Sequence, residues 1–114
     1  MQPEEKNNAY LWDMLDAAKA ILQFTEGISE AQYLNDRKLQ LAVERALEII
    51  GEAAKNVSLH FQDSHPDIPW KKIIAQRNVI AHEYGEIRQE RIWSVVQLHI
   101  PNLVSQITPF VPNI

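Results

Sequence analysis

The chain has 114 residues, of which 46% are hydrophobic and 23% charged, as expected for one globular domain (residues 1–114) around a single core. It contains no cysteine, which excludes a disulfide, a thiolate zinc site and a cysteine nucleophile, and which suits the reducing cytoplasm. Its net charge of -4 argues against coating nucleic acid by bulk electrostatics, and neither a secretory signal nor a membrane span is expected.

Helix is the expected secondary structure throughout, because the chain has only three glycines and no sustained alternation of apolar and polar residues. A first helix is predicted over 8–26, followed by Gly27, which can adopt the left-handed conformation after a helix. Ser29 and Gln32 have the spacing of a capping box and predict a short helical turn. The apolar stripe of the first helix comprises Tyr10, Leu11, Met14, Ala18, Ile21 and Leu22.

Asp36 is placed to cap a long second helix, predicted over residues 37–61. Its apolar residues fall within about 160° on a helical wheel, and its charged residues are predicted to lie on the other side. The apolar set is Leu39, Ala42, Val43, Ala46, Leu47, Ile49, Ile50, Ala53, Ala54 and Val57, and the charged set is Glu44, Arg45, Glu48 and Lys55.

Prolines and a glycine mark the remaining elements. Pro69 can occupy the first turn of a third helix that continues to residue 83 and ends at Gly85. A fourth helix is expected to start near Ile87 and to be kinked or interrupted by Pro101, and the tail from residue 109 is expected to be extended. Together these elements predict an all-α fold, an antiparallel bundle of four to five helices.

The third helix and the residues after it carry a positive excess in an otherwise acidic chain. Residues 1–70 hold six Lys or Arg against twelve Asp or Glu, whereas residues 71–91 hold five against three. On a helical wheel Arg77 falls in the middle of an apolar face, while Asn78 and His82 lie one turn apart on the flank of that face. An arginine cannot lose its proton, so Arg77 must be paired or reach a wet cleft. The apolar face comprises Trp70, Ile73, Ile74, Ile80, Ala81 and Tyr84.

These side chains suit the cleavage of RNA without a metal. An imidazole titrates near neutral pH, so His82 can move the proton of a ribose 2′-hydroxyl or of the leaving 5′-oxygen. The Arg77 guanidinium can hold a phosphate and stabilise the charge of the transition state, and Asn78 can orient the phosphate or the imidazole. No metal site is expected, because His82 has no second histidine at ligand spacing and Arg77 would repel a cation.

A structural interpretation of the same residues is also open. Arg77 can form an ion pair with Asp13, Glu44 or Glu52, and the sequence does not choose among the three. A histidine near the end of a helix is often a surface residue or a cap.

The segment from Arg77 to Tyr84, RNVIAHEY, resembles the R-x4-H-x-Y motif of the HEPN superfamily, including the frequent asparagine after the arginine. Three further segments are similar to the HepT-type toxin branch of that superfamily. They are Ile50-Gly51-Glu52-Ala53-Ala54, Ile68-Pro69-Trp70 and the proline-bearing segment 95–103, so the resemblance covers essentially the whole chain.

This resemblance implies a metal-independent endoribonuclease toxin that needs no cofactor and acts on messenger or transfer RNA. It implies a homodimer in which the two R-x4-H motifs line a shared cleft. It also implies an antitoxin of the minimal nucleotidyltransferase (MNT) type, which transfers AMP from ATP onto Tyr84. An AMP group there would occupy the phosphate site and repel RNA by its negative charge.

The sequence also leaves open two interpretations other than a toxin. One is a non-catalytic HEPN-like bundle that serves as a dimerising partner of a nucleotidyltransferase, and the other is a helical adaptor with an incidental motif. Arg77 within an apolar face favours the enzyme, and Glu52 is a candidate supporting residue. The remaining histidines, His60, His65 and His99, are expected to be caps or surface groups. The tryptophans, Trp12, Trp70 and Trp93, are expected to be core or dimer contacts.

Overall fold

Helices make up almost all of the chain that the structure describes, as the all-α prediction requires. The computed structural model describes the backbone of residues 3–82 and 87–111 and the side chains of residues 6–81 and 87–111. The elements are α1 (Pro3–Phe24), α2 (Glu30–Leu34), α3 (Arg37–Asn56), α4 (Leu59–Ser64), α5 (Trp70–His82), α6 (Gln89–Leu98) and α7 (Ile100–Ile107), followed by a 3₁₀ turn (Thr108–Phe110). Within these ranges no helix is both long and apolar enough to cross a membrane.

The central helix is α3, which packs against α1 and against α5. The helix α7 also packs against α1. The helix α6 packs against α7 and α2. The apolar stripes predicted for α1 and α3 meet in the core between these helices. Its largest fully buried side chains are Tyr33, Leu11, Met14, Leu15, Ile21, Ile50, Ile68, Ile107, Val43 and Val96.

Local capping chemistry sets the helix ends in the first third of the chain. The predicted capping box is confirmed, because Ser29 Oγ accepts from Gln32 N at 3.1 Å and Gln32 Oε1 accepts from Ser29 N at 2.8 Å. Asp36 Oδ1 accepts from Leu39 N at 3.0 Å and caps α3 as predicted. Gly27 has a φ of 72° in the turn after α1, which only glycine adopts easily. The helix α1 itself begins at Pro3, five residues before the predicted start.

The predicted helix over 37–61 is wrong at its C-terminal end, where the structure has two helices. The chain leaves α3 at Val57, and Ser58 then caps α4 by accepting from Phe61 N at 3.2 Å. Asn7, which is buried, donates to Ser58 Oγ at 3.0 Å and accepts from Ser58 N at 2.9 Å. The break is therefore stabilised by a residue 51 positions away in α1.

Near the C-terminus one prediction is confirmed and one is wrong. The expected interruption around Pro101 divides the fourth helix into α6 and α7 at His99, with the proline in the first turn of α7. The tail is not extended over its first residues, because Thr108–Phe110 continue as a 3₁₀ turn in which Thr108 O accepts from Val111 N at 3.1 Å. The predicted extended conformation of residues 112–114 lies outside the described residues.

The prediction that Glu44 lies on the polar side of α3 is also wrong. Glu44 is 8% exposed, and its Oε2 accepts from Gln89 Nε2 at 2.7 Å and from Arg37 Nη1 at 3.3 Å. Gln89 Oε1 in turn accepts from the buried Tyr33 hydroxyl at 2.7 Å. The three elements α2, α3 and α6 converge here, so this flank of α3 is covered, and the carboxylate is buried with partners.

Candidate active site

The helix α5 is fixed against the core at both ends, and Arg77 lies between the two anchors. Trp70 is 5% exposed, and its Nε1 donates to the carbonyl of His65 at 3.0 Å. Ile80, two residues before the end of α5, is also buried. Pro69 directly precedes α5, and its carbonyl accepts from Ile73 N at 3.0 Å. These contacts set the rotation of the helix, so the face that carries Arg77 is turned inward, as the wheel predicted, and the helix that it meets is α3.

Gly51 brings α3 unusually close to α5 at this level. A Cβ atom at Gly51 would lie 2.8 Å from Arg77 Cγ and 3.2 Å from the carbonyl oxygen of Ile73. The first of these distances is shorter than a carbon–carbon contact allows, so the close approach requires a glycine. The next residue along α3 is Glu52, and its side chain is thereby placed beside Arg77.

Glu52 is the partner of Arg77 among the three carboxylates that the sequence left open. Arg77 Nη2 lies 3.0 Å from Glu52 Oε2, and Arg77 Nη1 donates to Asn78 Oδ1 at 3.2 Å. The Arg77 side chain is 27% exposed and that of Glu52 is 53% exposed. A guanidinium carries five N–H donors, and two contacts orient it without using them all. Arg77 can therefore present donors in a fixed direction to a ligand.

A cleft of 350 Å³ opens beside this pair, between α1, α3 and α5. Arg45 and Arg77 face three carboxylates across it, so the described lining has a net charge of -1. The cleft residues Tyr10, Asp13, Arg45 and Glu48 were not singled out as site residues from the sequence. The spacing of Arg45, Glu48 and Glu52, three and four residues apart, was the available signal that they share one face of α3. The lining comprises Tyr10, Asp13, Arg45, Glu48, Ile49, Glu52, Ala53, Asn56 and Arg77.

The two other predicted motif residues lie at or beyond the limit of the described chain. His82 is the last residue of α5, and only its backbone is described, while Tyr84 lies outside the described residues. His82 lies five positions after Arg77 in the helix, which places their Cα atoms about 7.5 Å apart along the axis and about 140° apart around it. The structure thus joins Arg77, Asn78 and Glu52 by direct contacts. Elsewhere in the described ranges, no three His, Asp or Glu side chains converge as metal ligands would.

The other histidines and the tryptophans occupy largely the structural positions expected of them. His65 ends α4 and packs between the rings of Phe61 and Phe110, with centroids 4.3 and 4.6 Å away, while His60 and His99 are exposed. Of the tryptophans, Trp70 and Trp93 belong to the core, and Trp12 is 46% exposed.

The polar cluster around Glu44 is distinct from the Arg77 cleft, although both involve α3. Burial raises the pKa of the Tyr33 phenol above its ordinary value of 10.0, and the negative charge of Glu44 raises it further. The neutral phenol is therefore the form that the fold stabilises, and it donates the hydrogen bond to Gln89. Tyr33 also packs against the Trp93 ring at a centroid distance of 5.1 Å. This cluster ties α2 and α6 to α3.

The chain is similar to known proteins over most of its length. The profile of the family described as "Ribonuclease HepT-like" matches residues 14–109. A Thermococcus cleftensis protein named as a probable ribonuclease HepT is 42% identical over 94 residues, which are 82% of this chain and 86% of the relative. A Methanocaldococcus jannaschii protein named as a candidate RNase is 37% identical over 112 residues, 98% of this chain and 93% of the relative. A similarly named Caldanaerobacter subterraneus protein is 36% identical over 98 residues, 86% of this chain and 88% of the relative. No solved structure matched the chain.

Proposed function

Because the chain belongs to the HepT-like ribonuclease family and is an endoribonuclease, we propose that Arg77, Asn78 and His82 cleave RNA without a metal, as the toxin of a toxin–antitoxin pair. The observation that carries the proposal is the fixed orientation of the Arg77 guanidinium, with Glu52 at 3.0 Å and Asn78 at 3.2 Å, within the family's motif. Family membership also favours the enzyme over the non-catalytic bundle and the adaptor that the sequence left open.

The proposed reaction is an internal transesterification at one phosphodiester. The ribose 2′-oxygen attacks phosphorus, a new O2′–P bond forms, and the P–O5′ bond breaks. His82 takes the proton of the 2′-hydroxyl or gives one to the departing 5′-oxygen, so the products are a 2′,3′-cyclic phosphate and a 5′-hydroxyl. Arg77 stabilises the charge that builds up on the phosphate oxygens, and Asn78 holds Arg77 in place or orients the phosphate.

In a homodimer, Arg77 of one chain and His82 of the other would line one cleft, although the two residues of a single α5 lie on different sides of that helix. Arg77 and His82 are about 140° apart on α5, and the cleft of one chain carries a net charge of -1, which disfavours a phosphate. A second copy that brings its own α5 to the cleft would add an arginine and a histidine. We therefore propose that the active unit is a dimer with a shared cleft.

The same family resemblance supports a proposal for how the toxin is silenced. An MNT-type nucleotidyltransferase would join the Tyr84 phenolic oxygen to the α-phosphorus of ATP, with loss of the phenol proton and release of pyrophosphate. The attached AMP would bring a negative phosphodiester two residues from His82 and exclude RNA by charge and bulk. Intact mass after incubation with that enzyme and ATP should show added AMP on the wild type. Equal addition to the Tyr84→Phe variant would refute the assignment.

Cleavage of RNA in EDTA by antitoxin-free protein tests the catalytic proposal. Wild type should cut RNA to ends that carry a cyclic phosphate, and His82→Ala should be slower by about 10²–10⁴-fold, as for loss of a general acid or base. The intact mass is checked first, because a modified Tyr84 would hide the activity. Unmodified, folded wild type that cuts neither bulk cellular RNA nor transfer RNA would refute the proposal.

A further inference from the structure

The helix α5 leaves a groove on the flank opposite the Arg77 cleft. Its main helix contact in the described part of the chain is with α3, and it does not pack closely against α6 or α7. Three adjoining depressions therefore separate α5 from α6 and α7, and all three are lined by Gln76. We call this feature the α5–α6 groove. Its polar and charged lining residues are Asp67, Lys72, Gln76, Arg88, Arg91, His99, Asn102 and Gln106.

The charge of this groove is opposite to that of the whole chain. Lys72, Arg88 and Arg91 line it against a single described carboxylate, Asp67, which gives a net charge of +2 with His99 neutral. The chain as a whole carries -4, and the Arg77 cleft carries -1. All three cations are exposed, so they can reach a ligand in solvent. The groove is thus the positive surface that an anionic polymer would seek.

The shape and lining of the groove suit a single strand with unstacked bases. At the α7 end the groove includes a pocket of 220 Å³, whose apolar lining contains Ile73, Val95 and Leu103. Gln76 and Asn102, whose side chains end in amides, line the same pocket. Apolar surface with hydrogen-bonding groups at its edge is how proteins receive a splayed-out base, whereas duplex RNA presents mainly phosphates and hydroxyls.

The groove also ends beside the cleavage motif. Its α6 end is lined by Ile80, which lies two residues before His82 and about 3 Å from it along the axis of α5. A strand bound in the groove can therefore continue directly to the end of α5. Lys72 lies on a different flank of α5 from the catalytic motif, and Arg88 and Arg91 lie across the groove at α6, so a polymer in the groove can contact the three cations and the motif.

We infer that the α5–α6 groove binds the phosphodiester backbone of single-stranded RNA next to the cleavage position, through Lys72, Arg88 and Arg91. The inference rests on the proposed function, because it assigns these residues to the substrate of that reaction. It makes them binding residues, which act on affinity and leave the chemical step unchanged.

The test compares two triple variants that remove the same charge. The groove variant is Lys72→Gln, Arg88→Gln and Arg91→Gln, and the control neutralises three exposed lysines outside both the groove and the cleft. The probe for binding is a fluorescein-labelled single-stranded RNA with 2′-O-methyl riboses, titrated at several salt concentrations, and unmodified RNA is used for kinetics. The control changes are Lys6→Gln, Lys38→Gln and Lys55→Gln.

The groove variant should bind the labelled RNA about 100-fold more weakly near 0.1 M salt, with a salt-dependence slope smaller by about 2, because each lost phosphate contact removes about 0.7. Its KM should rise while its kcat stays near that of wild type, and the control should change little. Equal losses in both triple variants, or a change in the sedimentation of the groove variant alone, would overturn the inference.

Two further outcomes separate the groove from the proposed function. If wild type cleaves RNA and the groove variant binds and cleaves like it, the groove inference fails and the ribonuclease stands. If wild type binds RNA through the groove and cleaves none, the cleavage proposal fails and the groove stands. Loss of binding to the nucleotidyltransferase with unchanged RNA binding would reassign the surface to a protein partner, against the inference.

Discussion

Two polar clusters on α3, eight residues apart, show how one helix can serve both stability and chemistry. Glu44 is 8% exposed, and its Oε2 accepts hydrogen bonds from Gln89 and Arg37. Glu52 is half exposed, and its carboxylate orients a guanidinium that still borders an open cleft. The first cluster satisfies its buried groups within the fold, so it contributes to stability. The second keeps solvent access and donors for a ligand, so it suits catalysis.

Removing the cation of each cluster should separate the two roles most strongly. Arg77→Ala should slow RNA cleavage by about 10²–10³-fold, as for the loss of one group that stabilises the transition state. Its free energy of unfolding should change by no more than about 1 kcal/mol, because half-exposed ion pairs contribute little. Arg37→Ala, the matched arginine of the Glu44 cluster, should leave the rate unchanged. Rate constants and urea unfolding of both variants check this, and a slow Arg37→Ala variant would break the comparison.

Gly51→Ala should damage stability and activity together. Alanine favours an isolated helix by about 1 kcal/mol over glycine, but here its Cβ would collide with Arg77 and force α3 away from α5. The expected net loss is about 1–3 kcal/mol, as in other overpacked cores, with a clear fall in the cleavage rate. Gly27→Ala is the control, because its positive φ makes alanine strained there, far from the cleft. It should lose stability alone, and equal rates for the two variants would contradict the role of Gly51.

Tyr33→Phe should have the smallest effect, confined to stability. It removes the hydrogen bond to Gln89 and should cost about 1 kcal/mol at neutral pH. The pKa of Tyr33 is raised in the folded state, so its contribution is complete below pH 10.0 and is lost as the pH rises above that value. Urea unfolding at neutral and at alkaline pH should therefore show a steeper alkaline loss for wild type than for Tyr33→Phe. Equal slopes for wild type and Tyr33→Phe would refute the effect.

Features decided by neighbouring residues were predictable from the sequence. The capping box of Ser29 and Gln32, the Asp36 cap and the interruption at Pro101 each depend on residues within one or two helical turns. The apolar periodicity of α1 and α3 likewise identified most of the core residues that these two helices contribute. The position of Arg77 on the inward face of α5 followed from the wheel, because α5 keeps a regular helical repeat from Trp70 to His82.

Features decided by distant residues were not predictable. The break at Val57 depends on Asn7, and the burial of Glu44 depends on Gln89, which the chain brings from 51 and 45 positions away. Arg77 pairs with Glu52 because the turn of α3 that contains Gly51 and Glu52 is the one that crosses α5. The sequence of α3 alone does not show where α5 crosses it, so neither the role of Gly51 nor the pairing was predictable. Of the cleft residues on α1, Asp13 was predicted only as a possible partner of Arg77, and Tyr10 was missed for the same reason.

The two carboxylates of α3 provide the most direct test of the central claim. Glu44→Ala and Glu52→Ala make the same change in the same helix, so their difference reports the surroundings alone. Glu44→Ala should lower the free energy of unfolding by about 1–3 kcal/mol, because it removes the buried acceptor that Gln89 and Arg37 share, and its kcat should match wild type.

Glu52→Ala should stay within about 0.5 kcal/mol of wild type in stability, as for an exposed substitution. Its kcat should fall about tenfold with an unchanged or lower KM, because Arg77 loses the group that orients it while the site loses a negative charge. Unfolding curves and steady-state cleavage kinetics on both variants decide the matter. A Glu52→Ala variant that keeps the wild-type kcat, or a Glu44→Ala variant that loses activity without losing stability, would contradict the division of roles along α3.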